Sequence, residues 1–187
     1  MYVIIIICYD DCIIAKPLYI LYIEVLANSS MIMESHQPFS SNDTPFSILL
    51  ADDDEDDQFF FEDALTTLKF QKQLEMFEDG EKLMMYLLKE NRSLPDVLFL
   101  DYNMPRKNGA ECLLEIKQHP ALKDFPVIMY STYLHEDIAD SLYDQGAHFF
   151  VRKTDSKSLE KMLHKVFTSL IINKAVRPER SEFVITV

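Results

Sequence analysis

The sequence predicts an α/β fold, one parallel sheet with helices packed on both faces. Three observations carry that expectation. From Pro45 onward, short apolar runs alternate strictly with stretches of helical periodicity, five of each. Such alternation is satisfied by parallel strands joined through right-handed helical crossovers. The central runs, Val97-Leu98-Phe99-Leu100 and Val127-Ile128-Met129-Tyr130, are apolar at every position, as strands buried on both faces should be. Four of the runs also end on a polar or charged group: Asp52-Asp53, Asp101, Ser131-Thr132 and Arg152-Lys153.

The first strand is Phe46 to Ala51. A helix comes next over Asp56 to Leu68, with Phe59, Phe60, Ala64, Leu65 and Leu68 expected on its inner side, and acidic residues at its start suit the helix dipole. Leu74 to Phe77 reads as the second strand, and Glu81 to Lys89 as a helix with Leu83, Met84, Leu87 and Leu88. After the third strand, Val97 to Leu100, Gly109 opens a helix to Gln118 with Cys112, Leu113 and Ile116 inward. Pro126 starts the fourth strand, which runs to Tyr130. Glu136 to Gln145 is helical, and Gly146 supplies its C-terminal cap. His148 to Val151 is the last strand. Ser156 is a capping residue type and begins a helix carrying Leu159, Met162, Leu163, Val166, Phe167 and Leu170. The three glycines, Gly80, Gly109 and Gly146, all fall in connections. Residues 171–187 are expected to extend the helix and then fray as a C-terminal tail, with order ending near Arg177-Pro178.

The chain has 187 residues, 48% of them hydrophobic, which suits one soluble domain. The formal charge of -13 repels phosphate backbones, and the lysines and arginines are scattered, so nucleic acid is not an expected partner. Cys8, Cys12 and Cys112 make neither a disulfide framework nor a zinc site with a second ligand pair, which points to a reducing, cytoplasmic compartment. Residues 1–45 differ from the rest. Their apolar runs are broken by Asp10-Asp11 and by Lys16-Pro17 and Glu24, too short for a membrane span, and no basic start marks a signal peptide. They are expected to be an N-terminal extension outside the functional domain, 46–170, with translation starting at Met31 or Met33.

In an open α/β sheet, ligands bind beyond the carboxyl ends of the strands. Asp52, Asp53, Asp101, Ser131 and Lys153 all arrive there. Crowded carboxylates repel one another unless a cation joins them, and a hard dication such as magnesium takes oxygen ligands. Asp101 could then act as a nucleophile that forms an aspartyl phosphate, with Lys153 neutralising phosphoryl oxygens and Ser131 hydrogen-bonding them. Asp52 to Asp57 taken alone could also be a merely solvated acidic helix start. Its likeness to a calcium loop fails, because Asp57 stands where glycine is needed and a strand, not a helix, precedes it.

The runs Ile48 to Asp54, Leu98 to Pro105, Met129-Tyr130-Ser131-Thr132 and Phe150-Val151-Arg152-Lys153 together resemble the response regulator receiver family, the CheY-like phosphoacceptor domains, over residues 46 to 170. The resemblance implies a flavodoxin-like (βα)5 sandwich with strand order 2-1-3-4-5. It implies Asp101 as phosphoacceptor, with Mg2+ held by Asp53, Asp101 and the backbone carbonyl of Asn103, and Asp52 acting through water. Ser131 and Phe150 would be the switch residues, and Lys153 would sense the phosphoryl group. Thr154 stands where the family usually has proline, which leaves the Lys153–Thr154 peptide open between cis and trans. The acidic run after the first strand and the spacer Asn91 to Asp96 resemble stand-alone receivers paired with phytochrome-type or hybrid histidine kinases.

The resemblance implies a signalling protein rather than an enzyme, with at most slow autodephosphorylation. Its phosphodonor would be a sensor histidine kinase or a histidine phosphotransfer protein. Its output would be a downstream protein target, met near Tyr133, Leu134, Tyr143 and His148, because no output domain is expected after the last helix. A monomer and a homodimer through the last helix are both compatible with the sequence. Two rivals make distinct expectations. A pseudo-receiver would bind partners without phosphorylation. A haloacid-dehalogenase-type phosphatase would need an acid where Asn103 stands.

Overall fold

The computed structural model describes residues 8–9, 12–13, 45–90, 93–132, 135–172 and 176–186. The chain forms two compact units, Met1–Ser41 and Asn42–Val187. In the first, Cys8–Tyr9 pairs antiparallel with Cys12–Ile13. The expectations for the rest of residues 1–44 lie outside the described residues, as do Tyr133 and Leu134.

The second unit alternates strand and helix as the apolar runs require. Its strands are β1 (Phe46–Ala51), β2 (Lys72–Phe77), β3 (Val97–Leu100), β4 (Val127–Ser131), β5 (Phe149–Arg152) and β6 (Val184–Ile185). The helices are α1 (Glu55–Thr66), α2 (Gly80–Leu87), α3 (Gly109–Gln118), α4 (Glu136–Asp144) and α5 (Ser156–Ile172). All six strands are parallel in the order β2-β1-β3-β4-β5-β6.

Side-chain alternation along the strands divides the core into two layers. Leu49, Ala51, Leu98, Leu100, Val127, Met129 and Phe150 face α2, α3 and α4. Ile48, Leu50, Val97, Phe99, Ile128, Tyr130, Phe149 and Val151 face α1 and α5. The order expected for five strands therefore holds and is extended by one.

That sixth strand corrects the expected fraying. Phe183-Val184-Ile185 is a short apolar, partly β-branched run, and it lies along the free edge of β5. Phe150 pairs with Val184 and Val151 with Ile185, and Phe150 N donates to Phe183 O at 2.8 Å. The segment leading to it is tied to α4. Tyr143 Oη donates to Pro178 O at 3.0 Å, the Arg177 guanidinium lies 3.7 Å from the centre of the Tyr143 ring, and Arg180 pairs with Asp140.

Two further expectations are corrected. Phe59 and Phe60 are 64% and 48% exposed, whereas Phe61 is fully buried against Phe99 and Tyr130. The inner stripe of α1 is Phe61, Ala64 and Leu65, at the i, i+3, i+4 spacing of one helix face, and buried Leu68 continues it just past the helix end. Ser156 is the first residue of α5, not its cap; Asp155 Oδ1 accepts from Ser158 N at 3.1 Å in that role. Gly146, at φ 103°, ends α4 as expected.

Candidate phosphoacceptor site

The sheet delivers the site residues through backbone hydrogen bonds between neighbouring strand ends. Asp52 follows β1, and its N–H donates to Phe77 O at 2.9 Å. Asp101 follows β3, and its N–H donates to Ala51 O at 2.8 Å. Lys153 follows β5, and its N–H donates to Ser131 O at 3.0 Å. The three strand ends are thereby brought to one edge, and Ser131 closes β4 between them. No peptide among the described residues is cis, so the Lys153–Thr154 bond is trans.

Asp52, Asp53 and Asp101 each present an oxygen within 4.8 Å of the others'. Asp52 and Asp101 are buried, and Asp53 is exposed at the mouth. Lys153 reaches back over them with its side chain only 7% exposed. Its Nζ lies 2.8 Å from Asp52 Oδ2, 2.8 Å from Asp57 Oδ2 and 3.3 Å from Asp101 Oδ2. Sequence reasoning missed Asp57 as a member of the site. Its signal was its place in the first turn of α1, four residues after Asp53, within an acidic run that also reads as solvated.

The electrostatics show four carboxylates against one ammonium. Burial pushes the Asp52 carboxyl up to about 6, against the pull of Lys153. Burial also raises Asp101, opposed by Lys153, by the Asn103 backbone amide and by the Ser131 hydroxyl. Burial alone would lower the Lys153 ammonium, but hydrogen bonding to Asp52 and Asp57 outweighs it and holds the group above its ordinary range. Asp101 Oδ1 is buried without a hydrogen-bond partner. A buried, unpartnered carboxylate oxygen beside two further acids fits a hard dication, which would satisfy it and offset the excess negative charge.

Gly109 shapes the floor of the site. A Cβ there would stand 2.0 Å from Asp101 O, so only glycine lets α3 start this close to the nucleophile's backbone.

Of the other expected site residues, Ser131 is buried, and its hydroxyl and the Asn103 backbone amide lie near enough to Asp101 to oppose the rise of its carboxyl. Phe150 is 1% exposed and packs in the core beside Phe183. Of the surface expected to meet an output partner, Tyr143 is half-buried beneath Arg177 and Phe183, and His148 is buried. No described helix is long and apolar enough to cross a membrane.

Residues 48–164 match the response regulator receiver domain. The response regulator Rcp1 of Synechocystis sp. is 32% identical over 130 residues, covering 67% of this chain and 88% of Rcp1. The probable methanogenesis regulatory protein FilR2 of Methanothrix harundinacea is 31% identical over 114 residues, covering 59% of this chain and 74% of FilR2. Among solved structures, the Mn2+-bound form of Rcp1 superposes with a TM-score of 0.62 at 31% identity, covering 72% of this chain and all of that one. The phosphorylated cyanobacterial phytochrome response regulator RcpA gives 0.62 at 30% identity, covering 73% of this chain and all of that one. With the parallel sheet and its acidic strand-end cluster, these matches show that the chain belongs to the response regulator receiver family, whose members signal in two-component systems.

Proposed function

We propose that Asp101 is the phosphoacceptor of this receiver and that the phosphoryl group comes from a phosphohistidine on a sensor kinase or phosphotransfer protein. The observation that supports it most is the buried, unpartnered Asp101 Oδ1 next to Asp52, Asp53 and Lys153. In the transfer, an Asp101 oxygen attacks phosphorus in line as the P–N bond breaks, and the imidazole keeps the bond's electron pair. Mg2+, held by Asp53, Asp101 and the Asn103 carbonyl with Asp52 behind water, would neutralise charge on the incoming oxygens. Lys153 is already poised over the acids and takes one phosphoryl oxygen. Ser131 supplies a hydroxyl donor to another.

The product carries close to two added negative charges. As Ser131 turns to them, the packing between β4 and β5 changes. Phe150 is buried in the core, so its part in the switch is repacking against Phe183 and β6. A two-state surface of this kind signals by shifting populations toward a protein partner. The relay body starts near Phe46, residues 1–45 take no part in the chemistry, and the working compartment is cytoplasmic. Dephosphorylation by the chain itself is slow.

The test is incubation of the full chain with phosphoramidate and Mg2+, read by intact mass. One phosphoryl group is expected, absent without Mg2+ and absent in Asp101→Asn. No gain in mass would favour a pseudo-receiver, and rapid multiple turnover of p-nitrophenyl phosphate would favour a phosphatase.

A further inference from the structure

The loop from Asp101 to Gly109 carries Asn103, and it is held in shape by groups outside the acidic cluster. Its backbone turns sharply at Arg106, the one non-glycine residue at positive φ (64°) among those described. Across that residue Lys107 N donates to Pro105 O at 2.7 Å, closing a three-residue γ-turn. Turns with this central φ are strained and persist only where surrounding contacts enforce them.

Asp79 supplies the enforcing contact. Its side chain is 1% exposed and forms an ion pair with the Arg106 guanidinium. The carboxylate is itself fixed, because Oδ1 accepts from Lys82 N at 2.8 Å and so caps α2. Burial opposes its ionisation, but the Lys82 amide and Arg106 together hold its carboxyl below the usual range. Next to this pair the loop lies directly on α2: a Cβ on Gly80 would stand 2.3 Å from Lys107 O. At its far end Gly109 N donates to Tyr102 O at 2.9 Å. The loop is thus tied at its end by Gly109 and in its middle by Asp79 and Arg106.

We propose that Asp79 and Arg106 form a positioning pair that keeps the Pro105–Lys107 turn closed and so sets the Asn103 carbonyl for the cation bound by Asp53 and Asp101. This role rests on the proposal that the acidic cluster binds a cation. Neither residue contacts the cation; both act through the loop. Groups beyond the direct ligands that orient them commonly govern metal affinity in this way.

The test uses the full chain and Mn2+, with affinity read from the electron paramagnetic resonance of free Mn2+. Amide hydrogen exchange at Lys107 and Gly109 is read in the metal-free protein. Asp79→Asn keeps an oxygen to cap α2 but removes the charge. Arg106→Gly removes the guanidinium and relieves the backbone, and Arg106→Lys keeps a cation at the strained position. Asp79→Asn and Arg106→Gly are expected to weaken Mn2+ binding by about tenfold and to speed exchange at Lys107. Arg106→Lys should recover part of the affinity. Phosphorylation by phosphoramidate should need more Mg2+ for half-saturation yet reach the wild-type rate at saturation. Unchanged Mn2+ affinity in both weakened variants, with the wild type binding Mn2+ normally, would overturn the positioning role. A wild type that binds no Mn2+ would overturn the cation site, and the positioning role with it.

Discussion

Lys153 Nζ donates to Asp57 Oδ2 at 2.8 Å, across 96 residues of sequence. The bond ties the end of β5 to the first turn of α1 and places the ammonium over Asp52 and Asp101. Asp57 is partly exposed, so it holds the lysine in place more than it stabilises the fold. Asp57→Asn is expected to cost under about 1 kcal/mol in urea unfolding. Released from Asp57, Lys153 settles further onto Asp52 and Asp101 and competes with a cation there, so Mg2+ should bind several-fold more weakly. A large loss of stability with unchanged Mg2+ affinity would contradict this division of roles.

The acidic cluster costs folding energy in the absence of a cation. Asp52 titrates at about 6 in the fold against 3.8 ordinarily, and burial raises Asp101 as well. Between those values the folded chain binds more protons than the unfolded one, so the metal-free fold loses stability as pH rises from about 4 to about 6. Asp101→Asn removes one of the buried charges. It is expected to raise the metal-free unfolding free energy by on the order of 1 kcal/mol while abolishing phosphorylation. Thermal melts in a chelator check the stability, and intact mass after treatment with phosphoramidate and Mg2+ checks the phosphorylation; a destabilised Asp101→Asn would count against the electrostatic account.

The β6 segment belongs to the folded core. Phe183 is fully buried and packs on Tyr143 with ring centres 5.4 Å apart. Phe183→Ala should therefore cost about 3–5 kcal/mol. Phe59→Ser, at an exposed position of α1, should stay within about 0.5 kcal/mol of wild type. Denaturant midpoints of the two variants decide the matter, and similar values for both would contradict the assignment of the core.

Lys117 provides a pH signature remote from the site. Its Nζ donates to Phe125 O at 2.6 Å and to Lys123 O at 3.1 Å. Burial, reinforced by the charge of Arg177 and opposed by Asp124, pushes the ammonium down to about 8 from 10.5. Its pKa is thus lower folded than unfolded, so between about 8 and 10.5 the unfolded chain binds more protons and the fold gains stability as pH rises. Unfolding of wild type and Lys117→Gln at about pH 7.5 and about pH 9.5 isolates this contribution. The wild type should gain relative to the variant at the higher pH, and parallel behaviour would refute the shift.

The central strands and the strand-end acids were legible because their cause is local. A run such as Val97 to Leu100 has no polar face to leave in water, and an acid that ends such a run must emerge at the sheet's edge. The inner face of α1 was harder to read, because Phe59-Phe60-Phe61 offers an aromatic in three successive registers. Only the spacing to Ala64, Leu65 and Leu68 singles out Phe61. The β6 strand depends on a free edge of β5 and on anchors in α4 that no local pattern shows. Asp57 was hidden among six consecutive acids, and it becomes part of the site only when Lys153 arrives from the other end of the domain.

The most direct test of the central claim is Mn2+ binding to the full chain, measured by electron paramagnetic resonance at neutral pH. The account predicts one ion bound per chain, displaced by Mg2+, with binding lost in Asp53→Asn and in Asp101→Asn. Absence of binding in the wild type, or binding that both substitutions leave untouched, would contradict it.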